Sequence, residues 1–157
     1  MAKITKDTEK YFLIILIFIK IIKIKMLQVK KLSSSAKLPT RATSGSAGYD
    51  LYATMKLTIS SGERSLVHTD LAIMLPEGTY GQIVGRSGLA LRGIDIFTGT
   101  IDSDYRGNLG ILVINNSGSD FTIGSGDRIA QLIVQPYLAP DLNLVEELAP
   151  SNRIGGK

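Results

Sequence analysis

Two aspartates, Asp102 and Asp104, stand two residues apart in Gly99-Thr100-Ile101-Asp102-Ser103-Asp104-Tyr105-Arg106-Gly107. The chain has no cysteine and a single histidine, His68. That inventory excludes disulfide scaffolds, thiolate zinc sites and cysteine nucleophiles, and one imidazole cannot build a multi-histidine metal site. A general base must then be a carboxylate, a lysine or a tyrosine. In extended backbone Asp102 and Asp104 share a face, whereas in a turn they diverge. The Tyr105 ring, close to glycines, could stack on a sugar or a base; the plain structural alternative is a β-hairpin with a decorative tip. His68 falls in the alternating stretch Ser65 to Asp70 and reads as structural or surface.

Three more segments combine glycine, small polar residues and charge. In Gly85-Arg86-Ser87-Gly88-Leu89-Ala90 a guanidinium, a hydroxyl and backbone N–H groups can converge on one anion, a common way of holding phosphate. A solvated turn before a short helical turn explains the same residues. Ala47-Gly48-Tyr49-Asp50-Leu51-Tyr52-Ala53 brings an acid, Asp50, into a strand beside a glycine that permits close backbone approach. Gly126-Asp127-Arg128-Ile129-Ala130-Gln131-Leu132 is a turn feeding a strand, with polar heads at Arg128 and Gln131.

The elements that must carry these segments are short strands. A length of 157 residues suits one compact domain. From Met26 onward, β-rich runs alternate with Gly, Ser, Asp and Pro, and no long stretch keeps a helical period. Strands are predicted over Leu27 to Lys31, Met55 to Ile59, Leu71 to Leu75, Tyr80 to Val84, Leu109 to Asn115 and Arg128 to Val134. Between them lie turn signals such as Ser60-Ser61-Gly62 and Asn116-Ser117-Gly118. Such a pattern favours a sandwich, jelly roll or small barrel. From Pro136 onward three prolines (Pro136, Pro140 and Pro150) and a polar, glycine-containing end read as an arm that lies over something else or stays disordered.

Charge sharpens the partner classes. The net charge is +4, but residues 1–25 hold six lysines and two acids, which leaves twelve basic and twelve acidic residues from Met26 onward. A balanced body argues against nucleic acid as a partner, since counterion release needs clustered Lys and Arg. The first 25 residues stand apart. Tyr11 to Ile19 is continuously apolar, then Lys20 and Lys23 interrupt. The run is short for a membrane helix, and no small-residue cleavage site follows. Ile, Lys, Phe, Tyr and Leu can all be written with A and T codons. Three readings stay open: AT-rich upstream sequence with Met26 as the true start, which is preferred, a targeting or anchoring segment, and a structural extension. A membrane role is expected only if residues 1–25 are a real anchor.

Taken in order, AGYDLYA, GRSGLA, GTIDSDYRGNLG and GDRIAQL resemble four of the five signature motifs of the trimeric deoxyuridine triphosphatase family, with similar spacing from Ala47 to Leu132. The resemblance implies an all-β, jelly-roll-like barrel over residues 26–139 with an extended C-terminal arm over 140–157. It implies a homotrimer with shared active sites, in an intracellular place, cytoplasmic or nuclear. The implied reaction is Mg²⁺-dependent hydrolysis of dUTP to dUMP and pyrophosphate, with water attacking the α-phosphorus, which limits uracil in DNA and supplies dUMP for thymidylate synthesis. Asp102 matches the family's general base. Arg86, Ser87 and Gly88 match the phosphate-binding motif, and Gln131 matches a further phosphate contact. Tyr105 matches the ring that packs on deoxyribose. The backbone of Gly99, Thr100, Ile101 and Gly110 corresponds to the hairpin that reads uracil, and Asp50 to an acid near the metal and water network. Mg²⁺ is expected mainly on substrate phosphates and water, with no direct protein ligand.

The fifth motif departs from the pattern. Arg153 aligns with its arginine and would act on the γ-phosphate, but Ile154 and Lys157 stand where glycine is usual and no Phe follows. The arm is thus read as truncated. Alternatives are a lid-impaired nucleotide-binding homologue and an enzyme of the dCTP deaminase branch; GTIDSDY and AGYDLYA look more like the dUTP-specific branch.

Overall fold

The structure is a computed structural model and describes Tyr11, Ile15 and residues 26–151. The apolar run as a whole, the question of the start, and Arg153 with the rest of the fifth motif lie outside the described residues.

Among the described residues from Met26 onward, eleven strands and one short helix follow in the order β1 (Gln28–Lys31), β2 (Tyr49–Tyr52), β3 (Leu57–Ile59), β4 (Arg64–His68), β5 (Leu71–Met74), β6 (Thr79–Val84), α1 (Ser87–Ala90), β7 (Ile94–Ile96), β8 (Gly99–Ile101), β9 (Gly110–Asn115), β10 (Phe121–Ile123) and β11 (Arg128–Pro136). All six predicted strands form, with ends moved by one to two residues. The strands not placed by sequence are mostly three to five residues long, too short for a period of two to stand out.

The pairings are antiparallel and join elements distant in sequence: β2-β11-β6-β8 and β4-β9-β7 form the larger sheets, and β1-β5 and β3-β10 close the ends. This is the nearly all-β, jelly-roll-like fold expected. Alternation decides which face goes inward: in β9, Ile111, Val113 and Asn115 are buried while Gly110, Leu112 and Ile114 are half-buried. Leu51, Leu71, Leu109, Ile111 and Leu132 of the core are completely inaccessible to solvent. Burying one such side chain is worth roughly 1.5–3 kcal/mol relative to exposure. Asn115 is the polar exception. Its Nδ2 donates to the Ile59 and Ser119 carbonyls, and its Oδ1 accepts from the N–H and hydroxyl of Ser117, so its burial leaves nothing unpaired.

Residues 137–151 hold no strand or helix, and Leu138, Leu142, Leu144 and Leu148 are almost fully exposed. Among the described residues no helix is long and apolar enough to cross a membrane.

Candidate functional site

The AGYDLYA and GDRIAQL segments meet because β2 and β11 pair, with Gln131 opposite Asp50. The GRSGLA segment joins them because β6 lies on the other side of β11 and runs into Arg86. Asp50 is 3% exposed, and its carboxylate collects three donors. Arg86 Nε and Gln131 Nε2 each reach Oδ1 at 3.2 Å, and an Arg128 terminal nitrogen reaches Oδ2 at 3.4 Å. Arg86 also donates to the Arg128 carbonyl at 3.3 Å.

This clasp holds the turn that follows. Arg86 is extended (φ −101°, ψ 133°) and its carbonyl accepts from the N–H groups of Leu89 and Ala90, which starts α1. The N–H groups of Ser87 and Gly88 lie in the first helical turn and have no carbonyl behind them to bond. Ser87 and Gly88 are exposed, and an added Cβ on Gly88 would meet nothing within 4 Å. A hydroxyl and two free amides therefore face solvent beside a fixed guanidinium, an arrangement suited to an anion.

Asp50 does not face an open metal site. The acid that the resemblance assigned to a metal and water network is buried among two arginines and a glutamine, so its charge is already matched. Arg128, to which sequence assigned no role, completes the clasp. Its only signal was a basic residue at a strand entry, and a β-bulge between Arg128 and Ala130 conceals its direction.

Asp102 and its neighbours lie elsewhere. β8 pairs with β6, Gly99 opposite Ile83, Thr100 opposite Gln82 and Ile101 opposite Gly81. Asp102 follows at the far end of that ladder and lines an open hollow of about 570 Å³ with Tyr80, Thr100, Ser103, Asp104 and Tyr137. At a strand rise of ~3.3 Å per residue, Asp102 and Arg86 stand roughly 15–20 Å apart along the sheet. The two halves of the expected chemistry are not brought together within one chain.

The segment from Gly99 to Gly110 is not a hairpin. β8 belongs to the β2-β11-β6-β8 sheet, whereas β9 pairs with β4 and β7, so residues 102–109 cross from one sheet to another. Gly110 lies opposite His68, which is exposed on β4. The crossing is tightly turned: the Tyr105 N–H bonds the Asp102 carbonyl at 3.1 Å, and the Tyr105 hydroxyl donates to the Asn108 carbonyl at 3.0 Å. The ring lies over Gly107, where a Cβ would come within 2.6 Å of Tyr105 Cζ. Tyr105 keeps 42% of its surface exposed, so part of the side chain is open to solvent.

A third acid, Asp70, grips the far end of this crossing. Its Oδ1 accepts from Asn108 Nδ2 at 2.9 Å and its Oδ2 from the Ser33 hydroxyl at 2.8 Å. The Asn108 amide, followed by the Ser33 hydroxyl, holds the Asp70 carboxyl below the usual carboxylate range. Sequence assigned Asp70 and Asn108 no role: Asn108 lies within GTIDSDYRGNLG, but its partnership with Asp70 spans 38 residues and leaves no local pattern. Among the described residues no three acids or histidines cluster as a metal cage.

The profile of the family described as dUTPase matches residues 34–156. The deoxyuridine 5'-triphosphate nucleotidohydrolase of vaccinia virus (strain Copenhagen) is 50% identical over 123 residues, 78% of this chain and 84% of that protein. That of cowpox virus (strain GRI-90 / Grishak) is also 50% identical over the same shares. Among solved structures, a mutant dUTPase from phage phi11 of S. aureus, described with a coordinated structural Mg(II) ion, is 33% identical. It covers 78% of this chain and 97% of its own at a TM-score of 0.74. The dUTPase of Staphylococcus bacteriophage 80alpha with dUPNHPP is 32% identical and covers 78% and 89% at a TM-score of 0.75.

Proposed function

The chain belongs to the dUTPase family, and from that premise we propose how its residues divide the hydrolysis of dUTP to dUMP and pyrophosphate. The observation that carries the reading is the Asp50 clasp, which presents Arg86, Ser87 and Gly88 as a ready anion site. The Ser87 hydroxyl and the free amides bind the phosphate chain and stabilise charge that develops on the leaving pyrophosphate. Arg86 supplies a guanidinium held in place before substrate arrives, and Gln131 adds a second amide hydrogen beside it. Asp50 positions these groups and needs no metal of its own.

Asp102 acts as general base, accepting a proton from the water that attacks the α-phosphorus. Tyr105 offers its exposed part to the deoxyribose and leaves no room for a 2′-hydroxyl. The backbone of Gly99, Thr100, Ile101 and Gly110 reads uracil, and Arg153 reaches the γ-phosphate. Mg²⁺ neutralises the triphosphate and orients it when bound. The donor set fits a cation carried by phosphate oxygens and water, because Asp50 is occupied and Mg²⁺ gives up its hydration shell reluctantly.

A base must lie within about 3 Å of the proton it takes, or one water away. Asp102 cannot serve the Arg86 turn of its own chain across roughly 15–20 Å. This separation supports a homotrimer in which one copy lends Asp102 and Tyr105 to the phosphate turn of another. The exposed leucines of residues 137–151 support the same assembly, since a run of such side chains seeks a partner surface. The reading entails an intracellular location, cytoplasmic or nuclear, where dUTP is met.

The test is pyrophosphate release from dUTP with Mg²⁺, for the wild type and for Asp102→Asn. Turnover is expected to fall at least a hundredfold in the variant, with nucleotide binding and assembly kept. Uracil nucleotides formed from dCTP would instead favour the deaminase branch, and bound dUTP without release would favour a binding protein.

A further inference from the structure

The turn Thr69-Asp70-Leu71 holds the end of the 102–109 crossing by backbone and side chain together. The Thr69 N–H and hydroxyl donate to the Leu109 carbonyl at 3.1 and 2.9 Å, and the Leu109 N–H donates to the Leu71 carbonyl at 2.8 Å. These bonds anchor Leu109 and leave Asn108, one residue earlier, to be set by its side chain. Asp70 has φ +51°, a conformation that Asp and Asn tolerate better than most residues, and from this turn its carboxylate meets Asn108. The other end of the Asn108 amide, Oδ1, is buried without a hydrogen-bond partner. A flipped amide would set oxygen against carboxylate, so Asp70 alone dictates the amide's orientation.

Asn108 in turn holds the ring: its carbonyl accepts the Tyr105 hydroxyl at 3.0 Å. A continuous chain of hydrogen bonds thus runs from Ser33 through Asp70 and Asn108 to Tyr105. We infer that Asp70 is a positioning residue for sugar selection, fixing through Asn108 the carbonyl that holds the Tyr105 ring against a ribose 2′-hydroxyl. Asp70 does not touch the nucleotide. The inference rests on the assignment of Tyr105 to the sugar.

The experiment compares kcat/KM for dUTP with that for UTP in the full chain. Loss of folded protein lowers both values equally, so their ratio responds to positioning and not to stability. Asp70→Gly keeps the positive φ accessible and removes the carboxylate; the ratio is expected to drop roughly tenfold, the scale of a hydrogen bond to a charged group. Asp70→Asn retains an acceptor for Asn108 and should restore most of the ratio. Tyr105→Ala should lower the ratio too, and adding Asp70→Gly to it should change the ratio no further, because the two act in one chain. If Asp70→Gly fails to fold, Asn108→Ala cuts the same bond from the other side at ordinary backbone and is read identically. A wild-type ratio in the Asp70 or Asn108 variant, with Tyr105→Ala impaired, overturns the inference and leaves the sugar assignment standing. A wild-type ratio in Tyr105→Ala overturns the sugar assignment and the inference with it.

Discussion

Arg128 and Gln131 stand three residues apart on one strand, yet both donate to the carboxylate of Asp50. In a regular strand residues three apart point to opposite faces. The bulge between Arg128 and Ala130 inserts one extra residue, so that Arg128 lies opposite Tyr52 and Ala130 opposite Leu51. Ile129 and Ala130 are buried in succession as a result, and the two polar side chains converge. A buried carboxylate thereby obtains three donors, one of which, Arg86, begins the turn proposed to hold phosphate.

Asp50→Asn keeps the side-chain shape and removes the charge that two guanidiniums share. Stability is expected to fall by about 1–3 kcal/mol, less than for a fully buried ion pair because both arginines reach solvent. Well below the melting temperature, kcat/KM for dUTP should fall at least tenfold, since Arg86 is no longer fixed. Thermal melts and steady-state kinetics check this together; unchanged kinetics in a destabilised variant would mean that the clasp serves folding only.

Two inactive variants should rescue one another. Asp102→Asn leaves the phosphate turn intact, and Ser87→Ala leaves Asp102 intact. After unfolding and refolding as a mixture, about a quarter of sites shared between copies would combine an intact half from each. Pyrophosphate release should then exceed the sum of the two parents. No gain over that sum would indicate that each chain completes its own site.

Gly107→Ala should erode selectivity by displacing the Tyr105 ring rather than by removing any of its atoms. The new Cβ would overlap the Tyr105 hydroxyl and lie 2.6 Å from Cζ, so the ring must move. Relative use of UTP over dUTP is expected to rise severalfold, because a small displacement of a positioning group costs rate steeply. Wild-type selectivity in this variant would show that the ring's seat on Gly107 is irrelevant.

The Asp70 carboxyl is held below its usual range first by the Asn108 amide and then by the Ser33 hydroxyl. A lowered folded-state pKa stabilises at pH above the ordinary Asp value of about 4, and the benefit is lost as pH falls through the folded value. Denaturation midpoints of wild type and Asn108→Ala should therefore differ at pH 6 and converge as acidification carries the solution down through the lowered folded-state value. A gap that stays constant through that range would show that the amide does not favour the ionised form.

The family match and the all-β class were legible because they rest on local chemistry: four glycine-bearing motifs in order, short alternating runs, and turn residues between them. The absence of cysteine and the single His68 already confined proton chemistry largely to carboxylates. The three-residue strands β7, β8 and β10 were not legible, and β3, equally short, emerged only as the end of a longer predicted run, since so few residues cannot establish a period.

What the chain alone determined, then, is which groups are available: Asp102 and Tyr105 in one motif, Arg86 and Ser87 in another, Asp50 and Gln131 in two more. Tertiary structure decided which of them meet. Pairing of β11 with both β2 and β6 brought Asp50, Arg86 and Gln131 onto one carboxylate and recruited Arg128 through a bulge. The placement of β8 and β9 in different sheets turned an expected hairpin into a crossing, and pairing of β8 along β6 held Asp102 far from the phosphate turn. These outcomes depend on strand order and register between residues dozens of positions apart, which one-dimensional spacing does not encode.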